Sequence, residues 1–458
     1  MTTPEQPQTP EAPKYDARAP HHARPRLRPV RLFPAQAGEH QLMGISDARQ
    51  ISEKAVLTTP AAQVVLPLLD GTRTVDEVVK QVGRGLTRDV LEQLVAQLDD
   101  AGLLFGPTFD AIVARIRADF DGSPNLPPAS TAQFADAAGA AEAGSPEAFQ
   151  ALSPEAQKAA SVKKTREVFD EWIAMALKDA ANPSFDALPK AVVVPHLDYQ
   201  RGWINYASVW GRMRVAERPD RVVVLGTNHF GEATGVCGCD KGYESLFGTC
   251  ELDAQLVDGL KRRLGAENAG RLFEHKYDHE REHSVELQVP WIQHCLGADE
   301  SGRYPRIFGA LVHDPTVNNG ESYDGSGVGF EPFVNALRET IESLPGRTLV
   351  VSSADLSHVG PAFGDPLALA GDDPQVAEAR NNVFRHDRDM INIIAQNKPD
   401  ELINAMSWQG NHTRWCSIGN ITAAMKVARP SKVDVLNFAG AMDEQGTALV
   451  TCVAVAMS

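Results

Sequence analysis

Three short apolar runs in the C-terminal part of this chain each end in a polar cluster that contains a histidine. The runs are residues 191–194, 221–225 and 348–353, and the histidines that follow them are His196, His229 and His358. Apolar, β-branched runs of this length are typical of the buried central strands of a parallel sheet. Because ligands collect at the carboxyl ends of the strands in open α/β sheets, we expect the three histidines to converge on one pocket.

Stretches with helical periodicity separate these runs along the chain. Two further runs near the C-terminus, residues 433–438 and 448–455, predict an antiparallel pair of strands. This alternation predicts the α/β fold class, with a central, mostly parallel sheet and flanking helices.

The first 160 residues divide into three parts of different character. The N-terminal part is rich in Pro, Gln and Arg and lacks hydrophobic periodicity, which is typical of disorder. The middle part has helical patterns after the N-cap residues Thr74 and Thr87 and closes with an apolar run at Leu103 and Leu104, which is a winged-helix pattern. The third part is rich in Ala, Pro, Ser and Gly, as linkers are. The predicted organisation is a disordered tail over residues 1–30, a winged-helix domain over 31–106, a linker over 107–160 and the α/β domain over 161–458.

The composition excludes several classes of function. The formal net charge of −16 argues against a broad nucleic-acid-binding surface, and we interpret the basic stretch from His21 to Arg31 as a solvated arm. Six cysteines in 458 residues are too few for a disulfide framework. No secretory signal and no apolar run of about 20 residues is present. We therefore expect a cytoplasmic protein with reduced thiols that binds neither nucleic acid nor a membrane.

His196 and His229 are candidate metal ligands, because imidazole is the commonest protein ligand for zinc, copper and iron. A metal site needs at least one more donor, and the sequence leaves open Asp355, Glu282, His283, His412 and Cys416. Cys416 stands just before a helical pattern that begins near residue 417 or 419. Since the N-terminus of a helix stabilises a thiolate, Cys416 is a candidate thiolate ligand or nucleophile.

The segment from His279 to His283 satisfies the H-E-x-x-H signature of zinc metalloproteases, in which two histidines on one helical face bind the metal. A zinc protease of this type needs a third ligand downstream, and Pro290 limits the helix to about two turns. The protease is therefore a remote alternative, and Glu282 and His283 are predicted as pocket residues that orient a ligand.

Five sequence blocks occur in a characteristic order: VVVPHLDYQRGW, VVVLGTNHFG, EHSVELQVPWI, LVVSSADLSHVG and WCSIGNITAAM. Their order and spacing resemble the Memo family, also called AmmeMemoRadiSam system protein B, whose fold resembles the class III extradiol dioxygenases. The resemblance implies a metal site formed by His196, His229 and Cys416. It also implies that Asp355 and His358 complete the pocket, with His358 in the place of the dioxygenases' acid/base histidine.

Two departures from the pattern bear on the chemistry. Asp198 stands where the family's usual HAGY has a small residue, and we predict that Asp198 and Tyr199 line the pocket. Cys416 replaces the carboxylate ligand of the dioxygenases and makes the ligand set softer. We therefore expect a divalent or redox metal, with iron or copper preferred over zinc. The resemblance implies a metal-dependent oxidoreductase of dioxygenase-like type that acts with a radical-SAM partner. The alternative is a non-enzymatic adaptor that binds a metal or a peptide.

The middle part of the N-terminal region carries a second resemblance. The segments LLDGTRTVDEVV and LVAQLDDAGLL are similar to PqqD-like domains, which recognise a leader peptide or a partner enzyme. The resemblance implies a peptide or protein partner for the winged-helix domain. A generic winged-helix adaptor without a peptide ligand remains open, because a fold does not determine a function.

Overall fold

A computed structural model describes residues 13–38, 40–83, 85–214 and 216–458 of the chain. The chain divides into two compact units, residues 1–122 and 123–458, and each unit is described by itself. Among the described residues, no helix combines the length and the apolar character needed to cross a membrane.

The first unit consists of a small antiparallel sheet and helices. Its elements are α1 (Pro20–Ala23), β1 (Val30–Ala37), β2 (His40–Asp47), β3 (Val56–Thr58), 3-10 helices at Pro60–Val64 and Leu66–Leu68, α2 (Val75–Val82), α3 (Arg88–Asp100) and α4 (Pro107–Gly122). The sheet order is β1-β2-β3. The predicted helices α2 and α3 are confirmed, and Thr74 forms a capping box with Glu77 at the start of α2. The winged-helix class of this unit stays a prediction.

Part of the predicted N-terminal tail belongs to this first unit. Residues 1–12 lie outside the described residues, whereas His22 and Arg28 are buried. The Arg28 guanidinium lies 3.0 Å from the Asp47 carboxylate and donates to the Gly102 carbonyl at 2.8 Å. The prediction of disorder over residues 1–30 is therefore wrong for residues 13–30, because a buried charge pair holds this segment in the unit.

The segment that composition predicts as a linker is helical instead. Residues 107–160 contain α4, α5 (Ala132–Ala143), α6 (Pro146–Gln150) and the start of α7 (Pro154–Leu177). Ser145 and Ser153, which suggested a linker, are the N-caps of α6 and α7, and each is followed by a proline at the first helical position. The boundary between the units accordingly follows residue 122 and not the predicted linker.

The second unit is an α/β structure. Besides α5–α7, its elements are β4 (Asn125–Leu126), β5 (Ala191–Val194), α8 (Tyr199–Met213), β6 (Arg221–Gly226), β7 (Cys237–Gly238), β8 (Gly242–Ser245), β9 (Gly248–Cys250), α9 (Ala254–Glu274), α10 (His283–Glu286), α11 (Val289–Leu296), β10 (Arg306–Leu311), α12 (Phe330–Ser343), β11 (Thr348–Ser353), β12 (Asp355–Val359), α13 (Pro374–Ala395), α14 (Pro399–Trp408), α15 (Ile418–Ala428), β13 (Val433–Met442) and β14 (Leu449–Met457), with 3-10 helices at Lys276–Glu280, Asn318–Gly320 and Pro361–Phe363. A separate small sheet has the order β4-β8-β9.

The main sheet has the order β12-β14-β5-β11-β6-β10-β7, and β13 pairs with β14. The four strands β5, β11, β6 and β10 are parallel, and the strands at both sides pair antiparallel. The parallel centre and the C-terminal antiparallel pair are confirmed, but the sheet as a whole is mixed and not mostly parallel, because three pairings of its described strands are parallel and four are antiparallel. Strands β5 and β6 are buried along their whole length, which explains their uninterrupted valine runs.

The strand order determines where the predicted pocket lies on the sheet. Because β11 lies between β5 and β6, the segments that follow these three strands meet at one edge of the sheet. Helix α15 packs behind this edge, where the Asn420 amide donates to the Ser353 carbonyl at 2.8 Å and to the Thr227 hydroxyl at 3.0 Å. This packing brings the segment before α15 to the same edge.

Candidate metal centre

His196 follows β5 and is buried against the end of β11. Its Nδ1 lies 3.0 Å from the Ser353 carbonyl oxygen, and a carbonyl can only accept, so Nδ1 carries the hydrogen and Nε2 carries the lone pair. Nε2 lies 3.3 Å from the Sγ of Cys416. Burial, together with His229 and His283, lowers the pKa of His196 well below its usual value. A neutral imidazole with a free Nε2 is the form that binds a metal.

His229 follows β6 and is oriented by Glu282. The Glu282 carboxylate accepts from the His229 main-chain N–H at 2.9 Å and lies 3.0 Å from Nδ1 of the ring. Burial of His229 opposes protonation, but Glu282 and then Cys416 outweigh burial and hold its pKa well above the usual value, so the metal-free ring carries a proton that a bound ion would displace. A carboxylate on Nδ1 fixes the orientation and the basicity of a metal-binding histidine, so Nε2 is directed to the pocket.

Cys416 lies two residues before α15 and is half-buried. Its sulfur lies 3.2 Å from the Ser417 hydroxyl and 3.7 Å from the Asp355 carbonyl. One donor atom from each of His196, His229 and Cys416 lies within 4.8 Å of the other two. Two imidazole nitrogens and a thiolate at this spacing fit a zinc, copper or iron ion, and the structure thus brings the three predicted ligands together.

Asp355 lies directly against His196. Its Oδ1 accepts from the main-chain N–H groups of His196 at 3.0 Å and Leu197 at 3.3 Å, and its Oδ2 lies 3.6 Å from Nε2 of His196. Burial raises the pKa of Asp355 to about 7. Asp355 therefore positions the turn that carries His196.

His358 is held by main-chain carbonyls. Its Nδ1 lies 2.9 Å from the Leu356 carbonyl oxygen and 3.2 Å from that of Arg414, so Nδ1 carries the hydrogen and Nε2 carries the lone pair. The ring contacts Phe363 edge to face, with 5.2 Å between centroids. Burial lowers the pKa of His358 to about 4, which keeps the ring neutral near pH 7.

Of the remaining predicted pocket residues, Glu282 and His283 adjoin the ligands. The His283 ring stacks on His229, with 4.7 Å between centroids, and contacts His196 edge to face at 5.4 Å. Burial lowers the pKa of His283 to about 4. Glu282 is buried, and His229 and His283 hold its pKa below the usual range although burial acts in the opposite direction.

Asp198 and Tyr199 have other roles than the predicted one. Asp198 is the N-cap of α8: its carboxylate accepts from the Arg201 N–H at 3.1 Å, pairs with the Arg201 guanidinium and is half exposed. The buried Tyr199 hydroxyl donates to the Leu287 carbonyl at 2.7 Å, and its ring packs edge to face on Phe134. Asp198 therefore caps a helix and Tyr199 packs in the aromatic core, in place of the predicted role of these two side chains in lining the pocket.

The H-E-x-x-H motif does not form the helix that a zinc protease needs. His279 belongs to the 3-10 helix that ends at Glu280, and Glu282 is extended with φ −88° and ψ 120° before α10 begins. Both ring nitrogens of the buried His279 are engaged, by the Tyr243 hydroxyl at 2.9 Å and the Cys237 carbonyl at 3.2 Å. The protease alternative is wrong, because the two histidines do not share a helical face.

A second group of possible donors, His21, His22 and Asp99, lies in the first unit. Nδ1 of His22 accepts the Asp16 main-chain N–H at 2.9 Å, so the hydrogen of this ring resides on Nε2. Nε2 then donates to the Asp99 carboxylate at 3.1 Å. Hydrogen bonding accounts for this group without a metal.

The sequence reasoning missed a buried polar network beneath the pocket. The Gln288 amide donates to the Pro195 carbonyl at 2.7 Å and to the Ser353 hydroxyl at 2.9 Å. The Thr227 main-chain N–H donates to the Ser284 hydroxyl at 3.0 Å. These residues belong to the quoted sequence blocks, and their polarity within apolar surroundings is the signal that could have identified them.

A mixed α/β sheet with a parallel centre that gathers two oriented histidines and a cysteine at its strand ends defines a class of α/β proteins with a candidate mononuclear metal centre. A family match identifies which proteins of this class the chain belongs to. The family model described as Memo-like protein matches residues 160–456, and the chain belongs to this Memo-like family. All three candidate ligands lie inside the matched range.

Several MEMO1 family proteins are similar to this chain. A MEMO1 family protein of Aquifex aeolicus is 23% identical over 389 residues, which are 84% of this chain and 86% of that relative. One of Desulfurococcus amylolyticus is 25% identical over 257 residues, 56% of this chain and 77% of the relative. One of Methanopyrus kandleri is 28% identical over 171 residues, 37% of this chain and 53% of the relative. Because the Aquifex match covers more of the chain than residues 160–456, it extends into the region before the family match.

Proposed function

We propose that the second unit binds a single metal ion through His196, His229 and Cys416 and acts as a metal-dependent oxidoreductase of dioxygenase-like type. The observation that carries the proposal is the convergence of the three donors within 4.8 Å, with each imidazole oriented through its Nδ1. A bound iron or copper ion would supply redox chemistry with dioxygen, and zinc would supply Lewis acidity.

The protein's own residues have distinct roles in this proposal. Glu282 and the Ser353 carbonyl hold the two imidazoles so that each Nε2 faces the pocket. His358, neutral and with a free Nε2, accepts a proton from a substrate hydroxyl. His283 forms one wall of the pocket beside His229.

The test compares metal content and oxygen chemistry. The full chain is purified anaerobically, its metal is determined by mass spectrometry, and oxygen consumption is measured with and without a catechol. We expect His358→Ala to retain the metal and to consume oxygen about 100-fold more slowly, which is the size of a lost acid/base contribution. His40→Ala, an exposed histidine, is the matched control. Equal rates in wild type and His358→Ala would contradict the proposed role of His358.

A second candidate, a non-enzymatic adaptor that binds a metal and a peptide, is supported by the first unit. An apolar groove of about 1000 Å³ lies beside β3, which is an edge strand, and beside α3. Leu57, Val64 and Val90 line this groove with more than half of each side chain exposed. An edge strand beside an apolar groove can accept a peptide as an additional strand. In this proposal the first unit is a PqqD-like winged helix that engages a radical-SAM partner or its peptide.

The two candidates differ in one measurable respect. If His196→Ala loses the metal and wild type shows no oxygen chemistry with any metal or catechol, the carrier or adaptor is favoured over the enzyme. Oxygen consumption that depends on both the metal and His358 favours the enzyme. Peptide binding to the first unit is compatible with either outcome and is measured separately by fluorescence anisotropy.

A further inference from the structure

A buried carboxylate, Asp387 on α13, joins three segments of the second unit. Asp387 is fully buried, and its Oδ1 accepts from the Ser357 hydroxyl at 2.6 Å and from the Trp415 indole N–H at 2.9 Å. Its Oδ2 accepts from the Thr451 hydroxyl at 2.6 Å. The Thr451 hydroxyl itself receives the Ser357 main-chain N–H at 3.0 Å, so its own hydrogen is directed to Asp387. One side chain thus connects β12, β14 and the segment before α15.

Two of these partners are direct neighbours of proposed functional residues. Ser357 precedes His358 on β12, and Trp415 precedes Cys416. The Trp415 indole N–H also lies 3.1 Å from the Ser357 hydroxyl, so the two segments are linked to each other as well as to Asp387. The position of the cysteine relative to the histidine therefore depends on this cluster.

The segment that carries Cys416 contains two backbone conformations that L-residues seldom adopt. Asn411 has φ 45° and Arg414 has φ 59°. Such conformations persist only where surrounding contacts enforce them. The Asn411 side chain exchanges two hydrogen bonds with the Trp415 main chain, and the buried Trp415 ring is fixed by Asp387 at its other end. The indole anchor acts together with two main-chain contacts of the same segment, the Thr413 carbonyl that accepts from the His358 N–H at 2.8 Å and the Cys416 carbonyl that accepts from the Thr227 hydroxyl at 3.0 Å.

We propose that Asp387 is a positioning residue that places Cys416 and His358 at the metal centre through Trp415 and Ser357. This inference rests on the proposed metal site. A buried carboxylate is costly unless its partners compensate, and an apolar side chain of similar size would fill the same space. The three donors of Asp387 belong to three different segments, so the carboxylate fixes the positions of these segments relative to one another.

The first test uses Co²⁺ as the probe metal with the full-length protein. Asp387→Asn replaces one acceptor oxygen by a donor, and Trp415→Phe removes the indole N–H together with part of the buried ring. We expect each variant to bind Co²⁺ about 10-fold more weakly and to lose part of the thiolate-to-cobalt charge-transfer absorption, because Cys416 is no longer held in place. Asp389→Asn, an exposed aspartate on the same helix, is the matched control and keeps both properties.

The second test needs no metal. Cys416 is half-buried whereas the other five cysteines are buried, so iodoacetamide in the presence of a chelator reports on Cys416. We expect Trp415→Phe and Asp387→Asn to change the alkylation rate about 5-fold, the effect of one lost hydrogen bond on a local opening equilibrium. Wild-type affinity, absorption and alkylation rate in both variants would overturn the inference. If wild type itself fails to bind Co²⁺, the proposed metal site fails, and the alkylation rates still decide the role of Asp387.

Discussion

Glu282 determines how His229 faces the pocket, because it bonds the main chain and the ring of the same residue. The same carboxylate also accepts from the Ser284 N–H at 2.8 Å and begins α10. Asp355 makes the comparable contact to the main chain of His196. At the scale of single residues, each histidine is therefore presented by a buried carboxyl group that binds its backbone.

Replacing Glu282 by Gln should weaken metal binding about 10- to 100-fold, which is typical for loss of a carboxylate partner on a ligand histidine. The Gln side chain has one acceptor oxygen where Glu has two, so the main-chain N–H and the ring of His229 compete for that oxygen. Competition of wild type and Glu282→Gln with a chelator of known affinity measures the change. Glu300→Gln, at an exposed position, is the control, and equal affinities of wild type and Glu282→Gln would contradict the role given to Glu282.

Asp355 should make the metal-free protein less stable as the pH rises. Burial raises its pKa to about 7 from an ordinary value of 3.8, so the folded state binds the proton more tightly than the unfolded state. The contribution of Asp355 to stability is therefore greatest below about pH 4 and is lost between about pH 4 and 7, with a size of about 4 kcal/mol. Urea unfolding of Asp355→Asn against wild type at several pH values tests this. Parallel pH profiles of the two proteins would contradict it.

At the scale of elements, local patterns predicted the strands and several caps but not the contacts between distant segments. The valine runs of β5 and β6 and the capping box at Thr74 are properties of adjacent residues, and the structure confirms them. The roles of Asp198 and Tyr199 depend on Arg201 and on residues far away in sequence. The Tyr199 contact to Leu287 is long-range and no spacing rule reports it, whereas the N-cap contact of Asp198 is local and a capping rule could have indicated it. The sequence therefore identified the three candidate ligands but not the roles of these two neighbours.

The segment before α5 shows the same limit of sequence reasoning. The buried Glu286 carboxylate accepts from the main-chain N–H groups of Ala129 at 3.1 Å, Ser130 at 2.9 Å and Thr131 at 2.8 Å, and from the Thr131 hydroxyl at 2.7 Å. These partners lie more than 150 residues away along the chain. An Ala- and Pro-rich segment is thus ordered by a residue of the EHSVELQ block, which composition alone does not reveal.

Glu286→Gln should lower the free energy of unfolding by about 2 kcal/mol. One of the three main-chain N–H groups would then face an amide N–H₂, and a buried donor would lose its partner. Chemical denaturation measures the loss, and limited proteolysis near residue 130 shows where it acts. Glu171→Gln, at an exposed position on α7, is the control. Unchanged stability together with unchanged proteolysis would contradict the anchoring role of Glu286.

At the scale of the whole molecule, the compact second unit and the family match begin at different residues. The unit begins at Ser123, whereas the match begins at residue 160. Helix α5 and the start of α7 lie in the interval between them and pack on the unit, for example where Phe134 stacks on Phe169 with 6.1 Å between centroids. The structural domain is therefore larger than the region that the family pattern covers.

A fragment of residues 123–458 should fold and unfold cooperatively, whereas a fragment of residues 161–458 should be strongly destabilised. The shorter fragment removes Thr131 and its neighbours, so the Glu286 carboxylate loses the donors that bind it, which costs several kcal/mol. Circular dichroism and thermal unfolding of the two fragments provide the comparison. Equal unfolding temperatures would show that residues 123–160 are dispensable.

The most direct test of the central claim is the metal content of single-ligand variants. Wild type, His196→Ala, His229→Ala, Cys416→Ala and the exposed control His40→Ala are purified under identical anaerobic conditions, and their metal is quantified by mass spectrometry. The metal centre described above predicts about one metal ion per chain in wild type and in His40→Ala, and its loss in each of the other three variants. Full metal content in both His229→Ala and Cys416→Ala would contradict the assignment of the site.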